Sequence, residues 1–198
     1  MPANPAAPPD MEATDAELMG RLSAGDDLAL NALMLRWKER VASFLYRMTG
    51  HTETAADLAQ ETFVKLYQAR RRYRPDGKFS TYLFGIAANL GRNHARWKKR
   101  HPTVSLDETK DGLPVLRELM DSSQTPEEAA CTVERINAID QAFQALASDL
   151  RETMSLFIYE DMGYAEIASV VRASPKAVET RIYRARQILK EQLKDIRS

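Results

Sequence analysis

Cysteine is all but absent. The lone Cys131 excludes an internal disulfide framework, suits a reducing compartment and reads as a small buried hydrophobe. Histidine is almost as scarce: His51, His94 and His101 form no metal-ligand spacing with cysteine or acids, so no metal or cofactor is expected. There is no glycine-rich phosphate loop and no nucleophile motif such as G-x-S-x-G, so no catalytic residue is assigned and an enzyme is not expected. No apolar run is long enough to cross a membrane, which excludes membrane insertion. The opening "MPANPAAPPD" lacks the basic start and apolar core of a signal peptide. Residues 1–10 read instead as a proline- and alanine-rich disordered tail, and the chain as cytoplasmic. Glycine is also sparse, and no stretch alternates apolar with polar residues. Apolar positions recur every three or four residues nearly throughout, so the fold expected is all-α.

Net charge is zero over the 198 residues, which by itself speaks against a nucleic-acid partner. The distribution speaks for one. Residues 70–100 hold ten lysines and arginines against the single acid Asp76, and residues 172–197 hold eight against three acids. Between them, residues 101–140 hold nine acids against three bases. Two basic blocks flank an acidic middle, and the average conceals it.

The pattern along the chain divides it. Residues 11–100 read as one helical domain, with a break near Gly25, a stop at Gly50, a helix capped by Thr52 or Thr54, a loop at "RPDGK" and a long final helix from Phe79 to Arg100. Residues 101–127 lose the periodicity and read as an acidic flexible linker, with room for one short helix near 115–120. Helices resume at about 127–147, 149–160, 164–172 and 175–194, forming a second small domain over 128–198.

The last two of these helices form a helix-turn-helix pattern. "MGYAEIASVVRA" is a short amphipathic helix with Ile167, Ala168 and Val171 inward. In "SPKAVETRIYRARQILK", Ser174 caps and Pro175 suits the first helical position. Val178, Ile182, Ala185, Leu189 and Leu193 fall on one side as core. Lys176, Thr180, Tyr183, Arg184 and Gln187 fall on the other, with Arg181 and Arg186 flanking. Such a layout fits a helix whose first turns reach base edges while flanking cations reach phosphates. A solvated charged face gives the same pattern.

Two further faces need an explanation. The helix around residues 55–68 buries Leu58, Ala59, Thr62, Phe63 and Leu66, and presents Asp57, Gln60, Glu61, Val64, Lys65 and Gln68. An apolar Val64 among carboxylates suits a protein partner with basic residues, although single exposed apolar residues are common. The helix Phe79–Arg100 places Phe79, Leu83, Ile86, Leu90 and Trp97 on its buried side and Asn89, Arg92, Arg96 and Lys99 on the other, with Asn93 and Arg100 at the edge. Tyr73 precedes it among arginines. Asparagine can bond a base edge, cations can hold phosphates, and an aromatic beside cations suits unstacked bases.

Three blocks in order resemble the sigma-70 family of bacterial RNA polymerase sigma factors, extracytoplasmic-function (ECF) class. "DLAQETFVKLY" resembles the family's D-x-x-Q-E-x-F motif. "FSTYLFGIAANLGRNHARWKKR" resembles its F-x-T-W-L-x-x-I-A-x-N helix, with Tyr82 at the usual tryptophan. "YAEIASVVRASPKAVETRIYRARQIL" resembles its C-terminal helix-turn-helix. The resemblance covers about residues 14–195. It implies that residues 11–100 bind core RNA polymerase and melt the −10 element, with Asp57, Gln60, Glu61 and Val64 on the clamp helices. Tyr73, Asn89, Arg92, Asn93, Arg96 and Lys99 would meet −10 DNA. Residues 128–198 would contact the polymerase flap and read duplex −35 DNA through Lys176, Glu179, Thr180, Arg181, Tyr183, Arg184 and Arg186. The linker would thread the RNA path. An anti-sigma factor and a monomeric free state are also implied.

The departures from the pattern are specific. Glu179 stands where the family usually has lysine or arginine; it either reads a base, such as a cytosine amino group, or neutralises Lys176 or the neighbours of Tyr183. Arg172 stands at a turn that often carries glycine, so a slightly different turn is expected. A stand-alone helix-turn-helix regulator explains residues 162–194 but leaves the Asp57–Val64 face and the Tyr73–Arg100 block without a purpose.

Overall fold

A computed structural model describes residues 13–101 and 126–194. Among them are eight α-helices, one short 3-10 turn and no strand. The first domain holds α1 (Asp15–Ser23), α2 (Leu28–Thr49), α3 (Thr52–Ala69) and α4 (Phe79–Arg100), with the 3-10 turn Arg70–Arg72 after α3. The second holds α5 (Pro126–Ala145), α6 (Ser148–Tyr159), α7 (Tyr164–Val171) and α8 (Pro175–Gln192). The expected short helix near 115–120 lies outside the described residues, as does the side chain of Cys131.

Local chemistry sets the helix ends. Thr14 and Glu17 form a reciprocal capping box: the Glu17 N–H donates to Thr14 Oγ1, and the Thr14 N–H donates to Glu17 Oε2 at 2.7 Å. α2 stops at Gly50, whose φ of 76° is the left-handed conformation that glycine adopts without a Cβ penalty. α3 starts without the threonine cap expected; His51 holds the cap position and makes no side-chain cap bond. Ser174 does cap α8, accepting from the Ala177 N–H at 3.2 Å, with Pro175 at the first turn.

Apolar burial then assembles the first domain. Leu18, Met19 and Leu22 of α1, Leu33, Val41, Phe44 and Leu45 of α2, Phe63 and Leu66 of α3, and Leu83 and Phe84 of α4 are all buried. Trp37 and Phe44 both meet Phe84 edge-on, at 6.2 and 5.3 Å between ring centroids. Gly91 lets α4 cross close to α2, since a Cβ there would lie 2.9 Å from the Met48 side chain. In the second domain Val178, Ile182 and Ala185 of α8 pack with Ile167 and Ala168 of α7 and the buried face of α6. The expected inward set of α7 needs one correction. Val170 is buried and Val171 only partly so, because α7 packs against α4 of the first domain as well as against α6 and α8.

That contact is part of a wider interface. α4 meets α7, and α2 meets α6 and α5. Arg40 Nε donates to Glu160 Oε2 at 3.0 Å, and Arg47 lies 3.4 Å from Glu160 Oε1 with its guanidinium 3.9 Å from the Tyr159 ring centroid. Arg92 pairs with Glu152, Lys78 with Glu166, and Tyr46 Oη donates to Asp140 at 3.1 Å. Arg47, Glu152 and Glu160 are themselves buried. Burial pushes the Glu160 carboxyl up to about 7, against the opposing pull of Arg40 and Arg47. It raises Glu152 and Asp140 in the same direction.

Candidate functional site

Three surfaces carry the residues of interest. The first is the outer face of α3. Leu58, Ala59, Thr62, Phe63 and Leu66 turn inward, as their spacing requires. Asp57, Gln60 and Glu61 are exposed, and Val64 is 52% exposed among them. The structure therefore brings these four together on one open surface.

The second surface lies along α4. Tyr73 leaves the 3-10 turn and packs edge-on to Tyr82 at 5.1 Å and Phe79 at 6.3 Å. With Asn89 and Asn93, Tyr73 and Tyr82 line a groove of ≈ 890 Å³ whose far wall is Ser169, Val170 and Arg172 of the second domain. Arg96 is exposed and donates to Asn93 Oδ1 at 2.7 Å; Lys99 is exposed. Arg92 stands apart. Its guanidinium is engaged by the buried Glu152 carboxylate and by the Val170 carbonyl at 3.5 Å. In this arrangement of the two domains Arg92 is not available to a phosphate. The sequence did not flag Tyr82 as a wall of this groove, although its place at the motif's usual tryptophan was a signal. Nor did it flag Glu152, because α6 is buried on nearly every side and its wheel shows no single wet face.

Trp97 corrects the wheel. It was expected on the buried side of α4, but it is 50% exposed. The reason is helix length. α4 packs against α2 and α3 as far as Gly91, and every residue from Ala95 to Arg100 is exposed. A residue at the core angle has no core beside it there. Ile86, assigned to the same stripe, is partly buried and packed on the core.

The third surface is the outer face of α8. Lys176, Glu179, Thr180, Tyr183, Arg184 and Arg186 are exposed, Tyr183 at 64%. Lys176 and Glu179 form an i,i+3 ion pair at 2.8 Å, which raises the lysine's pKa. The Glu179 carboxylate thus faces Lys176 in the chain without DNA. Thr180 Oγ1 donates to the Lys176 carbonyl at 2.9 Å. Arg181 is drawn back toward Asp149 at 3.4 Å, and the Arg186 guanidinium lies 5.0 Å from the Phe157 ring centroid. Arg172 takes a left-handed φ of 54°, so the turn before α8 has the conformation a glycine would give it. The different turn expected is not found.

Among the described residues no group of three or more histidine, cysteine, aspartate or glutamate side chains could hold a metal ion, and no helix is long and apolar enough to cross a membrane.

Comparison with known proteins connects the three surfaces. Residues 33–101 match the model of sigma-70 region 2, and residues 136–189 match that of sigma-70 region 4. The chain is 30% identical to the RNA polymerase sigma-H factor of Pseudomonas aeruginosa, over 92% of this chain and 95% of that one. It is also 30% identical to the ECF RNA polymerase sigma factor SigW of Bacillus subtilis, over 94% of this chain and all of the relative. Among solved structures, CnrH in complex with the cytosolic domain of CnrY superposes with a TM-score of 0.65 and 25% identity, covering 91% of this chain and 97% of that one. A sigma factor from Bartonella quintana, solved with the anti-sigma factor NepR, shares the fold at a TM-score of 0.62, over 83% of this chain and 96% of that one, with 18% identity. With its first surface and its α4 face in the region 2 match and its exposed α8 face in the region 4 match, the chain belongs to the sigma-70 family, among the ECF sigma factors.

Proposed function

We propose that this chain joins core RNA polymerase and directs it to promoters, docking through Asp57, Gln60, Glu61 and Val64 of α3. The observation that carries the reading is the open α3 face: a half-exposed valine ringed by carboxyl and amide groups, with every core-directed neighbour buried. Such a face matches a partner with an apolar centre and a basic rim, here the polymerase clamp helices. Residues 11–100 form the unit that opens the −10 element. Its α4 face takes an unpaired base against Tyr73 and Asn89, while Arg92, Asn93, Arg96 and Lys99 hold the strand. Residues 128–198 contact the flap and lay α8 in the −35 major groove. Thr180, Tyr183 and Arg184 face the bases, Arg181 and Arg186 serve phosphates, and the Lys176–Glu179 pair sits at the helix start. The acidic linker of residues 101–127 follows the RNA path. No cofactor takes part, and the chain acts as a monomer in the cytoplasm until it meets polymerase or an anti-sigma factor, a class of regulator that its structural relatives bind.

Arg92 cannot serve Glu152 and a phosphate at once. The two domains therefore separate when the −10 face is used, and the described arrangement is the closed form of the factor.

Gel filtration with core polymerase tests the reading. The wild-type chain should co-elute at equal stoichiometry. Glu61→Lys places a cation against a basic rim, and opposed like charges cost several kcal/mol, at least about a hundredfold in affinity; that variant should elute alone, with an unchanged far-ultraviolet spectrum. A folded wild-type chain that never joins polymerase would favour a stand-alone DNA-binding regulator.

A further inference from the structure

Trp97 continues the apolar stripe of α4 beyond the end of the core. His101 stacks on it, with ring centroids 5.1 Å apart and planes 26° apart, and His94 lies 6.2 Å away on the preceding turn. The third histidine of the chain, His51, brings its ring to 3.0 Å from Lys98 at this same helix end. Half of Trp97 is nevertheless open. Around it stand Arg96, Lys98, Lys99 and Arg100, and among the described residues no carboxylate pairs with Arg96, Lys99 or Arg100. At about 100° per residue, Arg96, Asn89, Arg100, Asn93 and Trp97 fall in that order within an arc of roughly 100°. The indole thus borders the face already assigned to −10 DNA.

A half-exposed tryptophan flanked by two histidine rings and a cationic rim has a particular chemistry. The flat ring offers stacking area, and the cations offer charge to a polyanion. A protein partner would need acidic and apolar groups interleaved at the spacing of this helix. A nucleic acid supplies both within every nucleotide. Duplex DNA shows only base edges in its grooves, so an indole face can stack only on a base whose own face is open, at a fork or on a single strand.

We infer that Trp97, backed by His101, is a stacking platform for an unpaired promoter base at the edge of the melted segment, extending the DNA face of Asn89, Asn93 and Arg96 to the end of α4. This rests on the sigma-factor reading above. The Trp97 ring is the contacting group, and His101 positions it.

The test uses holoenzyme reconstituted from core polymerase and the full chain, as wild type, Trp97→Ala and Trp97→Phe. The probes are fluorescent fork-junction DNAs carrying a promoter that the wild-type holoenzyme has selected from a randomised library. Each probe of a series carries one abasic sugar, on either strand. Trp97→Ala should weaken binding to the intact fork by about five- to a hundredfold, the range for loss of one stacked base. Trp97→Phe should recover most of it. The slope of affinity against salt should not change, since no phosphate contact is removed. One abasic position should erase the difference between wild type and Trp97→Ala. Equal binding by Trp97→Ala, or a loss of the same size on every abasic probe, overturns the inference. So does a variant whose only defect is in joining core polymerase, which would make the indole a protein contact. Trp97 lies outside the core, and matching thermal melts of the three proteins exclude a folding defect. A wild-type holoenzyme that selects no sequence would instead defeat the sigma-factor reading itself.

Discussion

Arg172 holds φ at 54° in the turn that sends α7 into α8. A side chain in the left-handed region brings its Cβ against the backbone at a cost of about 1 kcal/mol that glycine avoids. The conformation persists because both flanking helices are fixed: Ile167, Ala168 and Val170 on one side and Val178, Ile182 and Ala185 on the other are buried. Arg172→Gly is therefore expected to raise stability by up to about 1 kcal/mol, seen as a higher thermal midpoint. A lower midpoint would mean that the arginine side chain makes a compensating contact, for which its place on the groove wall is the candidate. Glu179 shows the same dependence on immediate neighbours. A carboxylate in a basic helix looked anomalous as one letter in a string, and it becomes ordinary once Lys176 is seen 2.8 Å away.

At the scale of the element, legibility follows from what each helix touches. α3 and α8 each have one buried and one wet side, and their wheels found the centre of each buried stripe, missing only Ala55 at the start of α3 and placing Leu189 and Leu193, which are partly buried, in the core of α8. α4 spans Phe79 to Arg100 as its pattern requires, yet its wheel misplaced Trp97 because a wheel records angle and says nothing of where a partner helix ends. α7 and α6 were harder, since each serves two neighbours. Val170 and Glu152 are buried where α7 and α6 meet the first domain as well as their own, and no periodicity within one helix reports a second domain. The threonine cap expected for α3 failed for a local reason, because His51 takes the extended cap conformation and the helix starts one residue on. The site followed the same rule. The α3 face was readable, while the groove beside Asn89 needed Tyr82 and the wall of α7 to become a groove at all. Along α4 the sharpest consequence concerns Asn89, which reaches that groove with Tyr73. On the proposed reading, Asn89→Ala removes base-edge bonds without touching the α3 face. It should leave co-elution with polymerase intact and reduce permanganate reactivity of the melted −10 segment by about tenfold or more, the discrimination carried by a good bidentate base contact. Unchanged footprints would remove Asn89 from the opening step.

At the scale of the whole molecule, closure is an electrostatic compromise with a calculable sign. Glu160 has traded water for Arg40 and Arg47, and burial leaves its carboxyl near 7 in the closed form, against 4.5 as the ordinary value. A group whose pKa is raised by closure binds more protons closed than open at every pH between those two values. Closure is therefore favoured as pH falls from about 7 toward 4.5, and weakens as pH rises through 7. Glu152 and Asp140, also raised by burial at the interface, act in the same sense. A pair of fluorophores, one on each domain, should report a shorter mean distance at pH 6 than at pH 8. Arg40→Glu gives an independent lever. Arg40 is 45% exposed, with its guanidinium 4.5 Å from the Trp37 ring centroid, so the change removes that cation–π contact while setting a second carboxylate against Glu160 and leaving the buried Arg47 to face both. Removing one partner of a buried pair costs about 3–5 kcal/mol, and although Arg40 is only half-buried, a fraction of that suffices to move a closed population to an open one. The variant should show the long distance at both pH values, with Arg92 released from Glu152. If Arg40→Glu instead kept the short distance, closure would be carried by the α4–α7 packing around Val170, and opening would then depend on a partner that competes for that apolar contact.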